Sequence, residues 1–230
     1  MRLDRFLGNL PTLNRQQVQR LLASGAISVD GQVCRDGRYE VRDFQRIELD
    51  EQLLQAGKAP RYFMLHKPIG VVSATVHDQH RTVLDLLDEP DKHQLHIGGR
   101  LDLNTSGLLL ITNDGLWSRR LTEPRSELGK VYRVETEQAI DPACVEAFAH
   151  GLYFAYEDLT TRPAELLILS PNSALLTLHE GRYHQVKRMF GHFNNKVIAL
   201  HRESMGPLLL DPHLAPGAYR PLSNAEIALI

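Results

Sequence analysis

Short apolar runs of strand length dominate this chain and limit the folds open to it. From Arg61 onward the strand-like runs outnumber the helical stretches, and the two kinds do not alternate regularly. Such an order favours an α+β fold with a mixed or antiparallel sheet over a doubly wound parallel sheet. Strands are predicted at 62–65, 108–112, 131–136, 164–169, 174–178, 196–201 and 206–210, and helices near 83–87, 116–121, 142–149 and 184–193.

The first 50 or so residues predict a separate small module. Asn14 is placed to cap a helix, and Gly25 suits the left-handed residue that ends one. Asp30-Gly31 predicts a tight turn between two strands, and Ile47 and Leu49 continue the strand alternation. Residues 51–60 mix polar residues with Gly57 and Pro60 and predict a linker. The domains are therefore expected at 1–59 and 60–230.

Positive charge is concentrated in the N-terminal module. The chain has 26 Lys and Arg against 28 Asp and Glu, a formal charge of −2. Residues 1–46 contain eight arginines and five acids, which gives +3. A basic module on a slightly acidic protein suits RNA phosphate contacts, with Arg15 and Arg20 as candidates. A solvated arginine surface on a structural domain remains open from composition alone.

Other classes of protein are disfavoured by composition. Cys34 and Cys144 form neither a disulfide framework nor a metal knuckle, and they suit a reducing cytoplasm. Arg2, Asp4 and Arg5 interrupt any apolar N-terminal run, so no signal peptide is expected, and no run reaches the length of a membrane span. The pairs His77/His80 and His93/His96 lack further metal ligands, so no metal is expected.

A glycine-rich segment with one carboxylate is the most informative part of the chain. Gly98 and Gly99 allow a tight turn and a close approach of a ligand to the backbone. Arg100 and Asp102 are two residues apart, so in an extended loop both side chains point to one side. Taken alone, an aspartate in such a turn more often caps backbone amides than performs chemistry.

The run GGRLDLNTSGLLLITNDG at 98–115 resembles the catalytic signature of the ribosomal pseudouridine synthases. The blocks HKPIG at 66–70, KVYRV at 130–134 and GRYHQVKRM at 181–189 are similar to three further blocks of that family. The N-terminal module resembles the RNA-binding domain of the ribosomal protein S-four type. The resemblance covers nearly the whole chain and implies a small-subunit ribosomal RNA substrate, free or in a partly assembled ribonucleoprotein particle.

The resemblance also implies roles for individual residues. Asp102 is the implied catalytic carboxylate, which attacks the base, attacks the anomeric carbon, or removes the ribose C2′ proton. Lys187 is expected to pair with Asp102 and favour its ionised form. Tyr132 is expected to stack on the uracil, and Arg100 and Arg182 to contact RNA. The isomerisation transfers no electron or phosphate to or from the substrate, so no cofactor is expected.

Purely structural roles for these residues and other functions for the protein stay open at this point. Tyr132 in an apolar strand suits a core aromatic, and Lys187 on an amphipathic helix suits a solvated face. A non-catalytic RNA-binding or ribosome-assembly factor would use the N-terminal module equally well. A synthase that modifies large-subunit ribosomal RNA is a second alternative.

Overall fold

A computed structural model describes residues 1–123 and 128–230. The chain divides into two compact units, Met1–Pro60 and Arg61–Ile230. Both units combine helices with sheets, which confirms the α+β prediction. Within the described ranges, no helix has the length and hydropathy needed to cross a membrane.

The first unit packs two helices against a four-stranded antiparallel sheet of order β2-β1-β3-β4. The eight buried apolar residues of its core come from both helices, from β1 and β3, and from Val41 in the connection between β2 and β3. Its elements are α1 (Leu3–Gly8), α2 (Arg15–Ser24), β1 (Ile27–Val29), β2 (Gln32–Val33), β3 (Ile47–Leu49) and β4 (Gln52–Gln55).

Local signals in this unit act as the sequence predicts. The Asn14 side chain accepts a hydrogen bond from the Gln17 amide, and the Gln17 side chain accepts one from the Asn14 amide, so a capping box starts α2. Gly25 ends that helix with a φ of 82°. Asp30 and Gly31 both have positive φ and form the turn between β1 and β2.

The predicted linker at 51–60 is wrong in part, because Gln52–Gln55 forms strand β4 beside β3. The turn between these strands is made by Asp50 and Glu51 at φ values of 44° and 71°. Glycine or asparagine usually occupies such positions, so the sequence carried no turn signal. The side-chain amide of Gln55 also donates to the backbone carbonyls of Arg42 and Gln45, both at 2.8 Å.

The second unit is built on a nine-stranded mixed sheet. Its main path is β11-β12-β8-β13-β7-β5-β15, with β6 beside β7 and β14 beside β13. Only the β7–β13 pair is parallel among the described strands. The elements are β5 (Tyr62–Lys67), β6 (His96–Gly98), β7 (Ser106–Thr112), α3 (Gly115–Thr122), β8 (Lys130–Thr136), α4 (Ala143–His150), β9 (Tyr153–Phe154), β10 (Leu159–Thr160), β11 (Glu165–Ser170), β12 (Ser173–Leu178), α5 (Gln185–Gly191), β13 (Val197–Met205), β14 (Leu208–Leu209), β15 (Tyr219–Pro221) and α6 (Asn224–Ala228).

Most strands and helices predicted for this unit are present, with differences at the ends. The predicted helix near 83–87 is a short 3-10 helix, Val83–Leu86, and a second one, Lys92–Gln94, was not predicted. The predicted strand at 206–210 shrinks to the two residues of β14. The short strands β6 and β15 were missed because three residues give too little alternation to recognise.

The central strands bury apolar side chains on both faces. Leu109 and Ile111 of β7 belong to the larger core, whereas Leu108 and Leu110 belong to a smaller core that also contains Trp117 of α3. This alternation is that of a strand covered on both sides. The larger core also includes Tyr132 of β8 and Leu200 of β13, and the candidate site lies beside these two residues.

The parallel pair β7–β13 requires a glycine at position 107. Gly107 lies opposite Arg202 with a φ of 113°. A Cβ atom there would lie 2.3 Å from the Arg202 carbonyl oxygen and 2.5 Å from its amide nitrogen. The close approach fixes the loop before β7 next to β13, and this loop carries Asp102.

Candidate active site

A cavity of about 830 Å³ opens beside the loop between β6 and β7. Its walls come from that loop, the start of β8, the segment leading into α5, and β13. Seven side chains were predicted to be catalytic or to contact RNA, and five of them lie in these walls: Arg100, Asp102, Tyr132, Arg182 and Lys187. Arg15 and Arg20 are exposed on α2 in the first unit.

The Asp102 carboxylate is partly exposed in the cavity wall and lies between two basic side chains. Lys187 Nζ is 3.6 Å from Asp102 Oδ2, which confirms the predicted ion pair. His184 Nε2 is 3.5 Å from the same oxygen. The side chains of Asp102 and Lys187 are each about one-third exposed, so the pair remains accessible from the cavity.

The start of α5 places both basic groups. His184 precedes the helix in the left-handed region, at a φ of 48°, and its ring stacks on Tyr183 with 3.9 Å between centroids. Lys187 follows three residues later, so both side chains lie on one side of the first turn. Gln185, which is buried, accepts from the Arg182 amide through Oε1 and donates to Glu180 through Nε2.

The loop that carries Asp102 is held by a buried lysine. Lys67 Nζ donates to the carbonyls of Pro68 at 2.9 Å, Asp102 at 3.1 Å and Thr105 at 2.8 Å. An ammonium group has three hydrogens, and these three carbonyls can accept all of them. On the opposite flank, the Ser73 hydroxyl donates to the Leu101 carbonyl and accepts from its amide. The backbone around Asp102 is therefore fixed from both sides.

Burial lowers the pKa of this lysine. Desolvation lowers the pKa of Lys67 to about 8. The charge of Asp102 raises that pKa in part, and the charge of Arg202 lowers it further. Lys67 therefore links β5 to the loop through carbonyl oxygens, and it forms no ion pair within residues 1–123 and 128–230.

Tyr132 and Lys130 project from β8 into the same cavity. They are two residues apart and lie on one face of the strand. Tyr132 is 8% exposed, and the cavity gives a planar base access to the part of it that is not buried. Burial lowers the pKa of Lys130, Arg202 lowers it further, and Glu180 partly opposes this.

Arg202 is a buried cation in the wall formed by β13. Its Nε donates to the Leu108 carbonyl at 2.9 Å, and Nη1 lies 3.5 Å from the Arg100 carbonyl. Its Nη2 has no hydrogen-bond partner among the described residues. Arg100 itself is exposed at the cavity, and Arg182 pairs with Glu180 at 2.9 Å.

Sequence reasoning missed four residues of the site: Lys67, Lys130, His184 and Arg202. Three of them belong to the blocks 66–70, 130–134 and 181–189, which the sequence analysis had singled out as units. Arg202 belongs to no such block, and an arginine in an apolar strand gave no signal that its side chain would be buried.

Metal ligation has little support among the residues described. His77 and His80 have their rings 5.0 Å apart, but no group of three or more His, Cys, Asp or Glu side chains is arranged as a metal site within residues 1–123 and 128–230.

Comparison with known proteins assigns the chain to a family. Residues 61–192 match the model of the RNA pseudouridylate synthase family, and residues 1–47 match the S4 domain. Ribosomal small subunit pseudouridine synthase A of Pseudomonas aeruginosa is 64% identical over the full length of both chains. The protein of that name from Escherichia coli K12 is 43% identical, again over both full lengths. A crystal structure of a pseudouridylate synthase is 38% identical, covers all of both chains, and has a TM-score of 0.73. The chain therefore belongs to the RNA pseudouridylate synthase family and is an isomerase that acts on RNA.

Proposed function

We propose that this enzyme converts a specific uridine of small-subunit (16S) ribosomal RNA to pseudouridine, with Asp102 as its catalytic carboxylate. The observation that carries the proposal is the Asp102 carboxylate in the cavity wall, paired with Lys187 at 3.6 Å. The names of the full-length relatives support the choice of RNA, since each is a ribosomal small subunit pseudouridine synthase.

Asp102 acts in this proposal as a carboxylate kept ionised beside the ribose. Lys187 and His184 both approach Oδ2, and the side chain stays about one-third exposed to the cavity, where the substrate can meet it. The reaction breaks the C1′–N1 bond, turns the base, and forms the C1′–C5 bond. C5 loses a proton and N1 gains one, so the atoms balance without a co-reactant. The Lys67 ammonium holds the backbone of Asp102 in place during these steps.

Tyr132 contacts the flipped base. Stacking of an aromatic ring on a base contributes roughly 1–3 kcal/mol. Its hydroxyl, or a water that it positions, is the proposed acceptor of the C5 proton, although tyrosine is a weak base at neutral pH. Removing a uridine from a helical stack costs a few kcal/mol, and contacts of this kind offset that cost.

Exposed arginines contact the rest of the RNA. Arg100 and Arg182 line the cavity from exposed positions, where guanidinium groups can bind phosphates. Arg15 and Arg20 on α2 extend the contact through the S4 domain. The proposed substrate is ribosomal RNA, as free RNA or in a partly assembled particle. A cytoplasmic location is part of the proposal, since Cys34 and Cys144 are both free thiols.

Mapping of pseudouridine in ribosomal RNA tests the proposal. A strain that lacks this protein should have uridine at one small-subunit position that is pseudouridine in the parent strain. The wild-type gene should restore the modification, and a gene encoding Asp102→Asn should not. Loss of a pseudouridine from large-subunit RNA instead would refute the assignment of substrate. Restoration by Asp102→Asn would refute the assignment of the carboxylate.

A further inference from the structure

Two cations in the cavity wall form no ion pair within residues 1–123 and 128–230. Lys130 and Arg202 both line the cavity, and neither forms an ion pair with a carboxylate in the described part of the chain. Lys130 is half-buried and Arg202 is 1% exposed. Burial lowers the pKa of Lys130, and the nearby charge of Arg202 lowers it further. Buried positive charge without a counter-charge is costly, so a ligand rich in acceptor atoms would stabilise it.

Unused hydrogen-bonding groups are found in the same wall. In residues 1–123 and 128–230, two buried side-chain polar atoms have no hydrogen-bond partner, Thr105 Oγ1 and Arg202 Nη2. Both residues line this cavity. Buried polar groups are nearly always hydrogen-bonded in folded proteins, so the two exceptions mark the place where partners arrive from outside the chain.

The cavity has an exposed pair of cations and a less exposed pair, and the two pairs suit different parts of a nucleotide. Arg100 and Arg182 are exposed and suit phosphates, which stay hydrated. Lys130 is half-buried and Arg202 is buried, and both line the cavity together with Leu200 and Tyr132, an environment that suits a planar base with carbonyl oxygens. Lys130 follows the same face of β8 as Tyr132, roughly 7 Å away along the strand. A uracil stacked on Tyr132 therefore has its polar edge within reach of the Lys130 ammonium.

We propose that Lys130 and Arg202 bind the carbonyl oxygens of the uracil base and hold the base while it is detached from the ribose. The inference rests on the proposed function and names the residues that serve its central step. When the C1′–N1 bond breaks, its electron pair leaves with the base, and O2 and O4 share the negative charge. The Lys130 ammonium and the Arg202 guanidinium stabilise that charge until C5 bonds to C1′.

Removal of the Lys130 charge tests the proposal. Tritium release from small-subunit RNA made with [5-³H]uridine is measured for wild type, Lys130→Met and Lys130→Arg, together with the Kd for the same RNA. Loss of a charged hydrogen bond should lower the rate at saturating RNA roughly 10- to 100-fold in Lys130→Met, with less than about a twofold change in Kd. Lys130→Arg should recover most of the rate. Lys196→Met, at an exposed lysine, is the matched control.

Free uracil and inorganic phosphate distinguish the base from the backbone as the ligand. Uracil should inhibit Lys130→Met at least about fivefold more weakly than wild type, and phosphate should inhibit both proteins equally. An unchanged rate in Lys130→Met would overturn the proposal. A tenfold higher RNA Kd with an unchanged saturating rate would also overturn it, because that result places Lys130 on a phosphate.

Folding and the proposed function are controlled separately. Circular dichroism establishes that each variant is folded, and Lys130→Gln replaces the methionine variant if the latter does not fold. Absence of tritium release from the wild-type enzyme would refute the proposed function itself. Release by wild type with no effect of any Lys130 variant would refute only the inference about Lys130 and Arg202.

Discussion

The two units of this protein differ in whether they bury charged side chains. All eight arginines of residues 1–46 are exposed, and the first unit buries no polar or charged side chain. In the second unit Lys67 and Arg202 are buried, and both donate to backbone carbonyls. The exposed arginines of the first unit are therefore available to a partner. The buried cations of the second unit instead fix the backbone around Asp102. Substitutions should affect binding in one unit and folding or turnover in the other.

Gly107→Ala should give the largest loss of stability in the second unit. Its Cβ would lie 2.3 Å from the Arg202 carbonyl oxygen, and the residue would keep a φ of 113°. Steric overlap and backbone strain together predict a loss of about 3 kcal/mol or more in unfolding free energy. Urea denaturation measures it, with Gly115→Ala as control because a Cβ there meets no atom within 4 Å. A Gly107→Ala protein as stable as wild type would show that β7 and β13 can separate.

Lys67→Met should give the next largest loss of unfolding free energy. The substitution removes the lysine donor from three carbonyls, of which that of Asp102 keeps the Thr105 amide as a second donor. We expect a loss of about 3 kcal/mol in unfolding free energy and a lower turnover rate. Lys196→Met, at an exposed lysine, should stay within about 0.5 kcal/mol of wild type. Equal stability of the two variants would contradict the role of Lys67 as an anchor.

The stability difference between wild type and Lys67→Met should depend on pH. The folded protein releases the Lys67 proton near pH 8, and the unfolded chain keeps it to about pH 10.5. The burial of this charge therefore lowers the unfolding free energy of wild type fully below pH 8. The loss is relieved as the pH rises from about 8 to about 10.5. Wild type should gain up to about 1.4 kcal/mol per pH unit relative to the variant. A difference that stays constant from pH 7 to pH 10 would contradict the burial of a charged lysine.

Arg15→Ala and Arg20→Ala should have the smallest effects, and these effects should appear in binding. Both side chains are exposed on α2, so unfolding free energy should change by less than about 0.5 kcal/mol. RNA affinity should fall, and the slope of log K against log salt should decrease by about one for each arginine. Gln19→Ala, at an exposed position of the same helix, should leave that slope unchanged. A large loss of stability in either arginine variant would break the contrast between the units.

Patterns that act locally were the most predictable from the sequence. The helix cap at Asn14 and the left-handed Gly25 are confirmed, and so is the ion pair of Lys187 with Asp102, which the family resemblance implied. Each depends on neighbours in sequence or on a block with its own signature. Strand β4 was missed because Asp50 and Glu51 make a turn that usually requires glycine or asparagine.

The buried cations could not be predicted because their positions depend on tertiary contacts. Lys67 donates to residues 35 to 38 positions away, and Arg202 donates to Leu108 across 94 positions. No local pattern distinguishes such residues from solvated ones, since lysine and arginine in strands are usually exposed. His184 is intermediate, because its block was recognised while its approach to Asp102 depends on the left-handed conformation before α5.

The central claim is that the Asp102 carboxylate performs the chemistry, and one comparison tests it most directly. Tritium release from [5-³H]uridine-labelled small-subunit RNA is measured for wild type and Asp102→Asn at RNA concentrations that saturate both. The account predicts release by wild type, no detectable release by Asp102→Asn, and the same Kd for RNA within about a factor of two, since an amide of the same shape removes about one charge and little contact area. Release by Asp102→Asn at a rate close to that of wild type would contradict the account.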